Sequence, residues 1–246
     1  MKSRISLILG ALALAATTLA AQTPVPVTFK LEGLAILTNA GATPQPIVSF
    51  GGHSYYSSPY TGAFELGTSG NYSSPFLVWC VDYNHESNFG DTYAAVVTGL
   101  NWDLSATRDG NAGRNEYDWA AHLANTMSLD WSNSVLGAAN RAKDVEIQEA
   151  MWNAVSGGAF TLSGTVLSDL GLAAGFYSTP APAHSGDGWA LIDGVSSGAG
   201  EQEFLILNPP GIPLEVVPEP ATLSLIGTGL AAVMGMGFRR RKKRTV

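Results

Sequence analysis

Two side chains in this sequence carry chemistry beyond packing: a lone thiol and a carboxamide on a helix. Cys80 is the only cysteine among 246 residues and lies in the strand-prone run Phe76-Leu77-Val78-Trp79-Cys80-Val81. A single cysteine makes no internal disulfide, so Cys80 is a buried apolar thiol, an intermolecular crosslink, a lipid site or a nucleophile. Lipidation fits poorly, because a lipobox puts its cysteine at the end of a signal peptide. Gln148 lies in Val145-Glu146-Ile147-Gln148-Glu149-Ala150-Met151-Trp152. There Ile147, Met151, Ala154 and Val155 form the core face of a helix. Gln148 and Trp152 are four residues apart and share an adjoining face. A glutamine beside a core tryptophan is unusual for a purely solvated position, although capping a neighbouring loop would also explain it.

The strand pattern Phe76-x-x-x-Cys80-x-Asp82, followed later by the helical Ile147-Gln148-x-Ala150-Met151-Trp152, is a recognisable pair. The motifs Trp79-Cys80-Val81-Asp82 and Gln148-Glu149-Ala150-Met151-Trp152 resemble those of the thioester domains of bacterial surface adhesins. The likeness is at motif level and spans roughly Phe76 to Val155. It implies that the side chains of Cys80 and Gln148 join. In that chemistry a thiolate attacks the carboxamide, ammonia leaves and a thioester remains. Amides resist thiols, so proximity and oriented donors must drive the step. The product is an acyl donor, which a surface lysine amine or a sugar hydroxyl attacks to become bound to Gln148. Asp82 and His85 follow Cys80 closely and are candidates to assist proton transfer, with Trp152 the third assisting residue. A plain turn after the strand explains Asp82 and His85 equally well.

Other chemistries find less support. His53, His85, His122 and His184 show neither HExxH spacing nor a paired cysteine ligand. Gly194-Val195-Ser196-Ser197-Gly198 matches a hydrolase elbow in letters, but it runs on into a strand where the elbow needs a helix. Asp82-Tyr83-Asn84-His85-Glu86 begins like a calcium loop yet has Ser87 where glycine belongs and Tyr93 where glutamate belongs. Asp109-Gly110-Asn111 is a turn first, and Glu146 and Glu149 form a solvated helix face. A glycosidase needs two carboxylates across a cleft, which spacing alone does not reveal. There is no phosphate-binding glycine loop and no dinucleotide fingerprint, so no cofactor is expected. Tyr55, Tyr56, Tyr60 and Tyr72 sit among Gly, Ser and Pro. Such rings stack on sugars or cover a core edge, and packing is the commoner use.

The elements that must position these groups are mostly strands. Residues 25–37 alternate as a strand, and Gly41 to Ser74 reads as short strands and turns with Phe64 and Leu66 turned inward. Thr92 to Val97 is expected to close a hairpin with the Cys80 strand over the polar loop Asp82–Asp91. Arg114 to Met127 and Lys143 to Val155 read as helices, the second ended by Gly157-Gly158. A short helix is expected at Val166 to Ala173, and closing strands at Trp189 to Ile192 and Glu203 to Leu207. The fold expected is mainly β, a sandwich or barrel of the α+β class, with a helical insertion at about 108–155.

The ends of the chain are addresses. Lys2 and Arg4, the apolar Ile5 to Ala20 and a small-residue cleavage site make residues 1–21 a secretory signal peptide. At the other end, a Pro-rich linker at 208–217 leads to Pro218-Glu219-Pro220, an uncharged span at about 221–238, and the basic run Arg239-Arg240-Arg241-Lys242-Lys243-Arg244. The span is about 27 Å long as a helix, just enough for a single transmembrane crossing, and the basic run should stay cytoplasmic. These three ordered parts of 218–246 resemble the PEP-CTERM sorting signal of Gram-negative bacteria. That resemblance implies recognition by an exosortase, cleavage near the tripeptide, and delivery to the cell surface or exopolysaccharide matrix.

Between the signals, residues 22–217 hold five basic residues against nineteen acidic ones, a net charge of −14. Such a surface repels nucleic acid and anionic membranes. Exosortase and the membrane are the partners expected in transit, and an exopolysaccharide or a surface amine afterwards. The function expected is that of an exported surface or matrix protein and not an enzyme, with a Cys80–Gln148 thioester as its sharper form. The alternatives are non-covalent polysaccharide binding, a structural matrix role, or extracellular hydrolysis.

Overall fold

The strand-forming stretches pair into a closed antiparallel barrel. The computed structural model describes residues 22–34, 47–50, 53–57, 59–67, 69–85, 87–132, 138–159, 161–194 and 201–214. Its strands are β1 (Val25–Leu34), β2 (Ile47–Phe50), β3 (His53–Tyr56), β4 (Tyr60–Phe64), β5 (Phe76–Cys80), β6 (Thr92–Gly99), β7 (Trp189–Gly194) and β8 (Phe204–Leu207). The helices are α1 (Arg114–Ser132), α2 (Ala138–Val155) and α3 (Gly164–Asp169). Six strands close in the order β1-β4-β5-β8-β7-β6, while β2 and β3 form a separate hairpin. Closure leaves no barrel strand with an unpaired edge.

Period-two alternation sorts the apolar side chains into two layers. Phe29, Leu31, Phe64, Val78, Cys80, Val97, Ile192 and Phe204 fill one core cluster. Trp79, Val81, Trp189, Leu191 and Leu205 belong to a second, shared with Tyr117, Ala120, Ala124, Ile147 and Met151 of the two long helices. So β7, β8 and the C-terminal half of β5 are buried on both faces, with helices against the second. Trp79 and Trp189 meet there edge to face, centroids 5.1 Å apart, a contact that adds about 1 kcal/mol to the burial of both rings. Inside the first cluster the Phe29 ring lies over Gly62, where a Cβ would stand 2.4 Å from it.

Several expectations are corrected. Thr92 to Val97 makes no hairpin with the Cys80 strand: β6 pairs with β1 and β7, whereas β5 pairs with β4 and β8. Barrel closure makes neighbours of strands distant in sequence, and local alternation cannot see that. Leu66 is not turned inward but 51% exposed, because β4 ends at Phe64 and the chain turns. Both long helices extend past the expected bounds, and α3 starts and ends earlier. Helix α2 does stop at the glycines: Gly157 and Gly158 take positive φ, and Gly158 N–H bonds back to the Asn153 carbonyl. Ile212 and Leu214 of the Pro-rich stretch pack on the barrel core. The signal peptide at 1–21 and the span at about 221–238 lie outside the described residues. Among the described residues, no helix is long and apolar enough to cross a membrane.

Candidate functional site

Cys80 is the last residue of β5, and alternation along that strand turns it into the barrel core with Phe76 and Val78. It is fully buried. Its thiol donates to the main-chain carbonyl of Asp82 at 3.1 Å. From α2, Ile147 and Met151 face the helix-side core while Trp152 enters the barrel cluster. Gln148, one turn before Trp152, is also fully buried, and its Nε2 donates to the main-chain carbonyl of Cys80 at 2.8 Å. Cys80 thus meets Gln148 and Trp152, about 70 residues further along the chain, at one end of β5, out of contact with water.

Burial is the main cause that pushes the Cys80 thiol up, to about 12. The nearby Trp152 indole N–H offsets part of the rise, although it makes no hydrogen bond of ordinary geometry. Glu203 adds to the rise and Arg108 opposes it. At neutral pH the group is a thiol, not a thiolate.

Asp82 and His85 occupy a second, wetter setting. The Asp82 carboxylate accepts from Asn84 N–H at 2.9 Å, meets His85 Nδ1 at 2.6 Å and is paired with the Arg108 guanidinium. What reaches the Cys80 sulfur from Asp82 is its carbonyl, not its carboxylate. Arg108 also donates to the Glu201 carbonyl at 3.1 Å and stands 3.9 Å from Asp193. Beside it opens a cavity of about 210 Å3, lined by Asp82, Asn84, Arg108, Asp109, Ser156 and Glu203 among others. Glu203 is buried there. Its pKa rises to about 8, first from desolvation and then from the neighbouring Asp193 charge. Tyr117 donates to one Glu203 oxygen at 2.8 Å, and the other has no hydrogen-bond partner. Among the described residues, no three His, Cys, Asp or Glu side chains are grouped to hold a metal ion.

Arg108, Glu203, Asp193 and Tyr117 were not singled out in the sequence. A usable signal was there for Arg108: a body with five cations among nineteen acids surrounds each cation with carboxylates.

The chain's tail carries a recognised motif. Residues 216–242 match the PEP-CTERM protein-sorting motif. This motif marks the protein for export, transient membrane anchoring and exosortase processing at the membrane. Pro218, Glu219, Pro220, Arg239, Arg240 and Arg241 fall within the matched span and outside the described residues. No curated protein and no solved structure matches the chain significantly.

Proposed function

We propose that the exported domain is a covalent attachment module whose acyl donor is a thioester between Cys80 and Gln148. The observation that carries this reading is the 2.8 Å hydrogen bond from the Gln148 carboxamide to the Cys80 carbonyl inside a dry site. It holds the carboxamide against the very residue that bears the thiol, and proximity is what this reaction needs most. The Cys80 sulfur bonds to the Gln148 Cδ, the Cδ–Nε2 bond breaks, and the thiol proton leaves on ammonia. Reactants and products are all neutral, so the burial that disfavours a thiolate does not oppose the net step. The same burial keeps water from the thioester once it has formed.

Export follows the Sec route, the hydrophobic tail is a transit handle, and the domain is released to the surface or exopolysaccharide matrix of a Gram-negative cell. There an amine on a target surface attacks the Gln148 acyl carbon and returns the thiol to Cys80. Each domain reacts once, so it is not an enzyme.

Mass spectrometry of the exported protein tests the reading. The thioester lowers the mass by about 17 Da, the loss of ammonia. Cys80→Ala removes that deficit and abolishes methylamine labelling at Gln148. Full sequence mass together with an alkylatable Cys80 in native, freshly exported protein overturns the proposal.

A further inference from the structure

Four large hydrophobic side chains are exposed among the described residues, and two of them meet in one place. Tyr56 is 42% exposed and Phe89 44%, with ring centroids 6.1 Å apart. Tyr60 lies 6.2 Å from Phe89 and donates its hydroxyl to the Tyr56 carbonyl. These rings line a groove of about 320 Å3 with Tyr55, Ser87, Asn88 and Gln202. That volume is at the lower end of ligand pockets, roughly 300–1,000 Å3.

Among the described residues, no charged side chain lines the groove, although the surrounding body carries a net charge of −14. Its polar side-chain groups are the hydroxyls of Ser87 and the three tyrosines and the carboxamides of Asn88 and Gln202, each able both to donate and to accept. A peptide or lipid anchor would need a deeper apolar floor, and a polyanion would be repelled by the body and find no cation among the described residues of the groove. A sugar ring matches both parts of the lining. Its C–H face lies on an aromatic ring while its hydroxyls exchange hydrogen bonds with amides. We infer that this groove binds an uncharged polysaccharide segment, with one sugar ring stacked on Tyr56 and Phe89.

The groove is built beside Cys80 but does not depend on its chemistry. Tyr55 packs edge to face on Trp152, centroids 5.4 Å apart. Gln202 donates to the same Asp82 carbonyl that accepts the Cys80 thiol. A polymer held here is linked to the thiol through Gln202 and the Asp82 carbonyl, whether or not the thioester forms.

Calorimetric titration of the full chain with cellohexaose, maltohexaose, laminarihexaose, mannohexaose and a galacturonate hexamer tests the inference. At least one neutral hexamer binds, and the galacturonate binds at least about tenfold more weakly. Tyr56→Ala and Phe89→Ala each weaken the neutral ligand about tenfold or more, with thermal unfolding little changed because both side chains are exposed. Prior treatment with methylamine, which opens any thioester, leaves the affinity unchanged. Absence of neutral binding, equal galacturonate binding, indifference to both aromatic variants, or loss of binding after methylamine would each overturn it.

Discussion

Asp82 stands between two settings that treat polar groups in opposite ways. Its carbonyl faces a dry pocket where Cys80, Gln148 and Trp152 are closed off by the barrel core. Its carboxylate faces a charged cleft where Arg108 and His85 meet it and Asp193 stands close by. In the dry pocket, neutral donors satisfy main-chain carbonyls. In the cleft, one guanidinium serves several acids, and Glu203 is left with a raised pKa and an unpaired oxygen. Excluding water from neutral groups costs little once they are hydrogen-bonded, whereas excluding it from acids requires either a cation or a proton. The cleft uses both.

Opening the dry pocket has the largest expected effect. Trp152→Ala deletes a fully buried indole between the Cys80 strand and Tyr55. Large-to-small changes of this kind cost about 3–5 kcal/mol. Urea unfolding of this variant should show that loss, and Cys80 in an otherwise thioester-free background (Gln148→Ala) should become faster to alkylate in the folded state.

On the cleft side, Arg108→Met removes the cation shared by Asp82 and Asp193 while keeping the apolar stem. Breaking a buried pair costs about 3–5 kcal/mol, and the partial exposure of Arg108 lowers the expectation to about 2 kcal/mol. Lower pH should restore much of this loss, because protonating the orphaned carboxylates removes the uncompensated charge. A loss that is the same at every pH would show that the stem, not the charge, matters.

How far the sequence foretold these two settings differs, and the reason is physical. Cys80, Gln148 and Trp152 were legible because a strand pattern and a helix face each point their side chains in a definite direction. Phe64 was read correctly as inward for the same reason. Leu66, two residues further on, was misread because the strand had already ended at Phe64. The partner of β5 was misread because barrel closure depends on pairings such as Cys80 with Phe204, far apart in the chain. The cleft went unseen as a unit because Asp82, Arg108, Asp193 and Glu203 come from four separate segments. Each taken alone resembles an ordinary surface charge.

Glu203 makes the stability of the cleft depend on pH. Its folded pKa of about 8 exceeds the ordinary glutamate value of 4.5. The folded chain therefore holds a proton that the unfolded chain releases across that window. The resulting stabilisation is full below pH 4.5 and is lost as the pH rises to about 8. One proton sets a slope of at most about 1.4 kcal/mol per pH unit. Asp193, also raised by burial, adds to the slope in the same direction. Glu203→Gln should flatten the fall in melting temperature across the window, leaving the smaller share that Asp193 supplies.

The smallest effect belongs to Tyr117, and it tests the cause of that shift. Its hydroxyl gives Glu203 a hydrogen bond at 2.8 Å, which favours the ionised carboxylate and so holds the pKa down. Tyr117→Phe keeps the ring in the core but leaves a second Glu203 oxygen without a donor, at a cost of about 1 kcal/mol. With desolvation unopposed at that oxygen, the Glu203 midpoint should move above its present value, and the pH-dependent loss of stability should extend to higher pH. If the midpoint moved down instead, the hydroxyl would be accepting a hydrogen bond from a neutral Glu203, and the cleft would be stabilising the acid form directly.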